Sequence, residues 1–171
     1  MSLLKTIKAP LLEQLKRDIE AKVPPEQKRD FLAIVVAGLK LMYDPRAHEV
    51  AVKDLDAALK KYPLPMAVAI GTLQVLAVVA RESRGTIQVA PAISAAMVLM
   101  AYVWEFVQVQ RQVQVTPAMV STSSRVVVAC TLQFFGIDKD KLAQGVELAR
   151  RGTAPAGQPP AAPMSPAQPG V

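Results

Sequence analysis

The first part of the chain shows helical spacing of its apolar residues. Leu11, Leu15 and Ile19 recur every four residues in the segment PLLEQLKRDIEAK, which places them on one face of a helix. Pro10 suits the first turn of that helix, because its missing N–H would have no intrahelical partner there. The pattern predicts an amphipathic N-terminal helix as a unit of its own, residues 1–23.

Prolines and capping residues divide the next segment into two helices. Pro24 and Pro25 end the first helix, and the nearly all-apolar stretch FLAIVVAGL that follows predicts a well-buried second helix. Asp44 precedes Pro45, which predicts the end of that helix near Tyr43 and a cap for the next one. The third helix has one face with apolar residues at intervals of three and four, which we expect to be buried: Ala47, Val50, Ala51, Leu55, Ala58, Leu59 and Tyr62.

Two long uncharged stretches occupy the centre of the sequence, residues 62–106. No charged residue lies between Lys61 and Arg81 or between Arg84 and Glu105, and each interval is about 20 residues, the length of helix that crosses a bilayer. These stretches predict a central apolar helical hairpin with a short basic turn.

The pattern leaves open whether the hairpin lies in lipid or in a protein core. Small residues throughout both stretches and aromatic residues near their ends favour a membrane. Gln74, Gln88 and Pro91 oppose it, and helices that are apolar on all sides also occur at the centre of soluble bundles. A third interpretation combines the two: the hairpin is stored in a water-soluble assembly and later meets a membrane.

In every one of these interpretations the working surface is apolar. We expect membrane or subunit contact through thirteen side chains on the first helix and the hairpin: Leu11, Leu15, Ile19, Leu64, Val68, Ile70, Leu73, Leu76, Val79, Ile93, Met97, Met100 and Trp104.

The rest of the chain contains two more helices and a tail. Alternating Val and Gln after Phe106 indicate a helix end that passes into an extended connector. Thr116 and Pro117 start a helix that Gly136 ends, and a further helix is predicted to end at Arg151. Residues 152–171 are rich in Pro and Ala and lack charge, which predicts a disordered tail. The fold class is therefore all-α: a helical domain, residues 24–151, within a bundle of six to seven helices.

Composition narrows the partners. Half of the residues, 51%, are hydrophobic, and the net charge is +6. Because basic and acidic residues are interleaved over residues 5–61, we expect solvated helix faces and no nucleic-acid binding. A basic surface beside an apolar hairpin would suit an anionic membrane. The single cysteine, Cys130, is expected to be a buried thiol, and the early charges argue against a signal peptide.

The sequence lacks the residue patterns of catalysis. His48 has no second histidine to build a zinc site with, and the glycines are isolated and form no phosphate-binding loop. We therefore expect no enzymatic activity, no cofactor and no metal site. Glu105 is best explained as the first polar turn after a buried helix, with an interfacial anchor or a partner for Arg111 as alternatives.

Several segments together resemble a family. The stretch FLAIVVAGLKLMYDPRAHEV, the Ala/Val-rich helix after it, the basic turn, the segment VTPAMV and the Pro/Ala/Gln/Gly tail resemble small helical virion proteins of tailed bacteriophages. The resemblance implies a non-enzymatic component of the particle that assembles with other virion subunits, as a homo-oligomer. It also implies an internal, ejection-type protein that reaches the host cell membrane during genome delivery. It assigns no functional residue.

Two other functions fit the same pattern. One is a small integral protein of the bacterial inner membrane with two spans, of the holin-like or accessory-subunit type. The other is a soluble helical adaptor. Sequence features alone do not separate them from a virion protein.

Overall fold

The computed structural model describes residues 10–137, and for residues 47, 48 and 51 it describes the backbone alone. This part of the chain is all-α, which confirms the predicted fold class. Its six helices are α1 (Pro10–Lys22), α2 (Lys28–Tyr43), α3 (Pro45–Lys61), α4 (Leu64–Glu82), α5 (Val89–Arg111) and α6 (Pro117–Phe134). A 3₁₀ turn (Pro25–Gln27) precedes α2. The predicted helix that ends at Arg151 and the predicted disordered tail lie outside the described residues.

Two of the helix starts are capped as the sequence predicts. The Asp44 carboxylate accepts a hydrogen bond of 2.7 Å from the backbone N–H of Arg46 at the start of α3. The Thr116 hydroxyl accepts one of 3.3 Å from the backbone N–H of Met119 at the start of α6. Each bond satisfies a donor that the helix itself leaves unpaired.

Helix α5 is the centre of the bundle. It packs against α1, α2, α4 and α6, and it buries residues on all sides. Its alanines at 92, 95, 96 and 101 are fully buried, and such small side chains allow neighbouring helices to approach closely. The largest fully buried side chain of the core, Trp104, lies near the C-terminal end of the same helix.

Helix α2 crosses α5 at a glycine. A Cβ atom placed on Gly38 would lie 2.6 Å from Cδ2 of Leu99 and 2.7 Å from its Cδ1. Carbon atoms that are not bonded normally stay about 3.5–4.0 Å apart. The missing side chain of Gly38 is therefore what lets Leu99 seat against the backbone of α2.

The ends of the hairpin helices require left-handed backbone. After α4, Arg84 and Gly85 have φ values of 53° and 77°, and the chain is non-helical until Val89. After α5, Gln112 has a φ of 52°, and residues 112–116 are non-helical. The alternating Val and Gln after Phe106 predicted this connector, but the first part of the alternating segment is still helical, up to Arg111. The predicted stop at Gly136 also holds, with a φ of 71°.

The amphipathic N-terminal helix packs onto the bundle. It lies against α5, with Leu12 fully buried and Leu15 partly buried against the core. In this arrangement α1 covers part of the central helix, together with α2, α4 and α6.

Candidate assembly and membrane-contact site

Helices α4 and α5 are both long and apolar enough to cross a membrane. They contain 19 and 23 residues, and a core helix of a soluble protein can meet the same criterion of length and composition. In the most apolar window of each helix, 39% of α4 and 56% of α5 is buried inside the chain itself. In this fold the hairpin is thus the core of a helical bundle, and α4 is the less enclosed of its two helices.

Five of the thirteen predicted contact residues are unavailable for contact in this fold. Val68, Leu76 and Val79 on α4, and Met100 and Trp104 on α5, are 5% exposed or less. Other helices of the same chain cover them, so neither lipid nor a second subunit can reach them unless the bundle opens. Contact through these five residues therefore requires the bundle to open. Their burial was not indicated by the sequence, because periodicity does not locate the covered side of a helix that is apolar all round.

The other eight predicted contact residues lie at intermediate positions. Leu11, Leu15, Ile19, Leu64 and Met97 are partly buried against the core. Ile70, Leu73 and Ile93 are also partly buried, although they are not among the residues that contact the core cluster. Ile70 and Leu73 therefore give α4 an apolar surface of limited exposure.

The most exposed large apolar residues lie elsewhere than predicted. On α2, Leu32 and Val36 are each 47% exposed and Tyr43 is 58% exposed. These three side chains follow one another at intervals of four and seven residues, so they share one face of α2. We call them the α2 stripe. The sequence shows these apolar residues at helical spacing. Because α2 is apolar on several sides, however, the sequence does not distinguish its exposed apolar face from its buried one.

Helix α3 also departs from its predicted face. Val50 and Tyr62 were expected to be buried, but they are 57% and 47% exposed. Leu55 and Ala58 on the same helix are buried as expected. Helix α3 packs mainly against α2 and α4, so its apolar face is wider than the surface that covers it.

A polar cluster joins α1 to the central helix. The Lys16 ammonium donates hydrogen bonds of 2.7 Å to Glu13 and 2.7 Å to Glu105, and it lies 4.2 Å from the centre of the Tyr102 ring. The Lys16 side chain is only 12% exposed, and that of Glu105 is 26% exposed. This ion pair corrects the proposed pairing of Glu105 with Arg111, because Arg111 pairs with Asp56 of α3.

The cluster shifts the ionisation of its members. The hydrogen bond from Lys16 lowers the pKa of Glu13 below its usual value, and the positive charge of Lys16 acts in the same direction. For Lys16, burial acts to lower the pKa, but its hydrogen bonds to Glu105 and Glu13 outweigh burial and raise it. Burial, followed by the negative charge of Glu105, raises the pKa of Tyr43. The charged form of Lys16 is thus the form that the fold requires.

The buried polar groups around Trp104 are paired. Its indole N–H donates a hydrogen bond of 2.9 Å to the hydroxyl of Ser123 on α6, which in turn donates to backbone carbonyls of its own helix. This bond ties α5 to α6 inside the core. Trp104 is therefore a core residue here, and not the interfacial aromatic that its position near the end of an uncharged run suggested.

An apolar cavity of about 310 Å³ lies among α2, α3, α4 and α5. The described residues that line it are almost entirely aliphatic and aromatic, and Asp54 and Gln74 are the polar side chains among them. Representative lining residues are Leu41, Val50, Gly71, Val75, Val103 and Phe106. A cavity of this volume reaches the lower end of the range for small-molecule sites.

Searches against protein-family models, curated proteins and solved structures found no match.

The chemistry of the described residues is sparse. Among residues 10–137, no three His, Cys, Asp or Glu side chains come together in a way that could hold a metal ion. Cys130 is partly buried on α6, which is less enclosed than the fully buried thiol expected from the sequence. The absence of a cofactor, a metal and an enzymatic activity remains a prediction from the sequence.

Proposed function

We propose that the protein is a non-enzymatic structural or ejection-type component of a phage particle, which assembles with other subunits and contacts the host membrane through the α4–α5 hairpin. The observation that carries the proposal is that two helices of membrane-spanning length form the core of a bundle. Such a fold keeps the hairpin soluble until a membrane is present. The phage setting follows from the sequence resemblance to virion proteins.

The way α1 covers α5 supports a hairpin that can be released. Leu12 is the one fully buried residue of α1, and burial of one such side chain contributes about 1.5–3 kcal/mol. The remaining attachment includes the Lys16–Glu105 ion pair, which is partly exposed. Apart from Leu12, α1 contacts the core through side chains that are only partly buried, such as Leu15 and Ile19. We therefore expect α1 to be the easiest of the helices on α5 to displace.

The α2 stripe supports assembly with other subunits. Leu32, Val36 and Tyr43 expose large apolar side chains on one helix face, with the exposed Lys40 between Val36 and Tyr43. Exposed apolar surface with polar residues around it commonly marks an interaction site. A homo-oligomer is the form of assembly we propose. Anionic lipid is the proposed membrane partner, because the chain has a net charge of +6.

A two-span integral membrane protein is the second candidate function. The observation that favours it is the low burial of α4, of whose most apolar window only 39% is covered. A soluble adaptor is the third candidate, and the burial of α5 favours it. The three functions differ in whether the chain stays in solution without detergent and whether it then binds vesicles.

The test is vesicle flotation of protein purified without detergent, using vesicles with and without phosphatidylglycerol. We expect soluble wild-type protein that floats with anionic vesicles. The Ile70→Arg variant should fold, since Ile70 lies outside the core cluster. It should no longer float with the vesicles, because an arginine at the centre of a membrane helix costs about 2.5–3.5 kcal/mol on insertion.

The matched control is Val36→Arg, which adds the same charge to the exposed α2 stripe and leaves the hairpin unchanged. It should float like the wild type, and light scattering should show a smaller assembly. Wild-type protein that never binds vesicles would contradict the membrane role. A chain that requires detergent would favour the integral membrane protein, and a monomer without vesicle binding would favour the adaptor.

A further inference from the structure

We propose that the apolar cavity among α2, α3, α4 and α5 is a binding site for one aliphatic chain of an amphiphile that carries a cationic head group. Two of its walls belong to the α4–α5 hairpin, so the site exists in the closed bundle, before any membrane insertion. The proposal does not depend on the proposed function. It follows from the lining, the shape and the charge at the rim of the cavity.

The lining excludes ordered water as the natural content. A buried water molecule needs two to four polar partners, whereas the described part of the lining offers Asp54 and Gln74, both of which are exposed. Val103 and Phe106 of α5 contribute apolar surface to the same space. An apolar space of about 310 Å³ is filled favourably by an apolar group, which restores the dispersion contacts that its walls lack.

The shape of the cavity suits a chain. Its wall on α4 runs from Gly71 through Val75 to Val78, which covers two helical turns, or about 10 Å. Gly71 leaves room in this wall, since a Cβ atom there would have Leu55 at 3.6 Å and Val103 at 3.9 Å as its nearest neighbours. Val50, which is 57% exposed, lies where the cavity meets solvent and extends the apolar path outward.

The rim selects the head group. Of the lining residues whose side chains the structure describes, Asp54 is the charged one, and it is exposed. A cationic head group held near the rim would be attracted to this carboxylate, and an anionic one would be repelled. The amide oxygen of Gln74 could accept a hydrogen bond from a primary ammonium head group, but not from a quaternary one, which has no N–H.

The experiment is isothermal titration calorimetry of the full chain with three amphiphiles of the same chain length below their micelle-forming concentrations: decyltrimethylammonium, 1-decanol and decanoate. We expect saturable binding with one site per chain. Decyltrimethylammonium should bind at least fivefold more tightly than decanoate, with 1-decanol between them. The absence of saturable binding, or equal affinity for the cation and the anion, would overturn the proposal.

Two variants locate the site. Gly71→Leu places a side chain in the cavity and should weaken binding at least tenfold, whereas Ala57→Leu, an exposed position on α3 outside the lining, should bind like the wild type. If Gly71→Leu does not fold, Val78→Phe fills the cavity from the other end of the α4 wall. Wild-type affinity in a folded cavity-filling variant overturns the assignment.

The head-group preference and a competing occupant are tested in the same way. Asp54→Lys should reverse the order, so that decanoate binds more tightly than decyltrimethylammonium. A second copy of the chain could instead fill the cavity. Sedimentation would then show a wild-type oligomer that Gly71→Leu dissociates and no amphiphile binding, and that result would overturn the proposal.

Discussion

The contact between Gly38 and Leu99 gives a prediction whose size can be worked out from the structure. In Gly38→Ala, the new methyl group would lie 2.6 and 2.7 Å from the two Cδ atoms of Leu99. A normal contact requires about 1 Å more separation. Because Leu99 is 0% exposed, its side chain has no solvent to move into, and either the side chain or α2 must shift.

Two terms of opposite sign determine the change in the free energy of unfolding. Overpacking of a core costs about 1–3 kcal/mol, whereas replacement of glycine by alanine inside a helix contributes about 0.8–1.0 kcal/mol. The net expectation for Gly38→Ala is a loss of about 1 kcal/mol. Gly71→Ala is the matched control, since its methyl group meets only ordinary contacts at 3.6 and 3.9 Å and should stabilise the protein.

The assay is urea unfolding followed by circular dichroism, with the midpoint and the slope fitted for each variant. The two alanine variants should differ by about 1–3 kcal/mol, with Gly38→Ala the less stable and the slope unchanged. Combining Gly38→Ala with Leu99→Val should recover part of the loss, since contacting residues couple by about 0.5–3 kcal/mol. Equal stabilisation by both alanine substitutions would refute the close approach of α2 to α5.

Two further predictions concern the polar groups. Lys16→Met should flatten the pH dependence of stability: the lowered pKa of Glu13 gives the wild type stability that is present above pH 4.5 and lost as the pH falls through the folded-state value. The raised pKa of Lys16 adds stability that is present below pH 10.5 and lost as the pH rises through the folded-state value. Thermal melts should therefore show the largest difference in stability between the wild type and Lys16→Met between pH 4.5 and pH 10.5. Thr131→Val should be neutral or stabilise the protein, because the buried hydroxyl of Thr131 has no hydrogen-bond partner. Thr72→Val should instead cost about 1 kcal/mol, because it removes the 2.9 Å hydrogen bond from the Thr72 hydroxyl to the carbonyl of Val68. Urea midpoints compare the two valine variants, and a larger loss in Thr131→Val than in Thr72→Val would contradict the assignment of partners.

The sequence alone determined several of the helix starts. Pro45 after Asp44 and Pro117 after Thr116 act within a few residues of themselves, through a fixed φ and a side-chain cap, so they can be read without the fold. The all-α class follows from equally local rules.

Only the tertiary structure decided which apolar surfaces are covered. Trp104 became a core residue and the α2 stripe remained exposed, although both belong to helices that are apolar on several sides. The partnership of Lys16 with Glu105 likewise joins residues far apart in the chain. The physical reason is that burial depends on which helix packs against which. A periodic apolar pattern predicts that a helix face is buried, but it does not identify the helix that buries it.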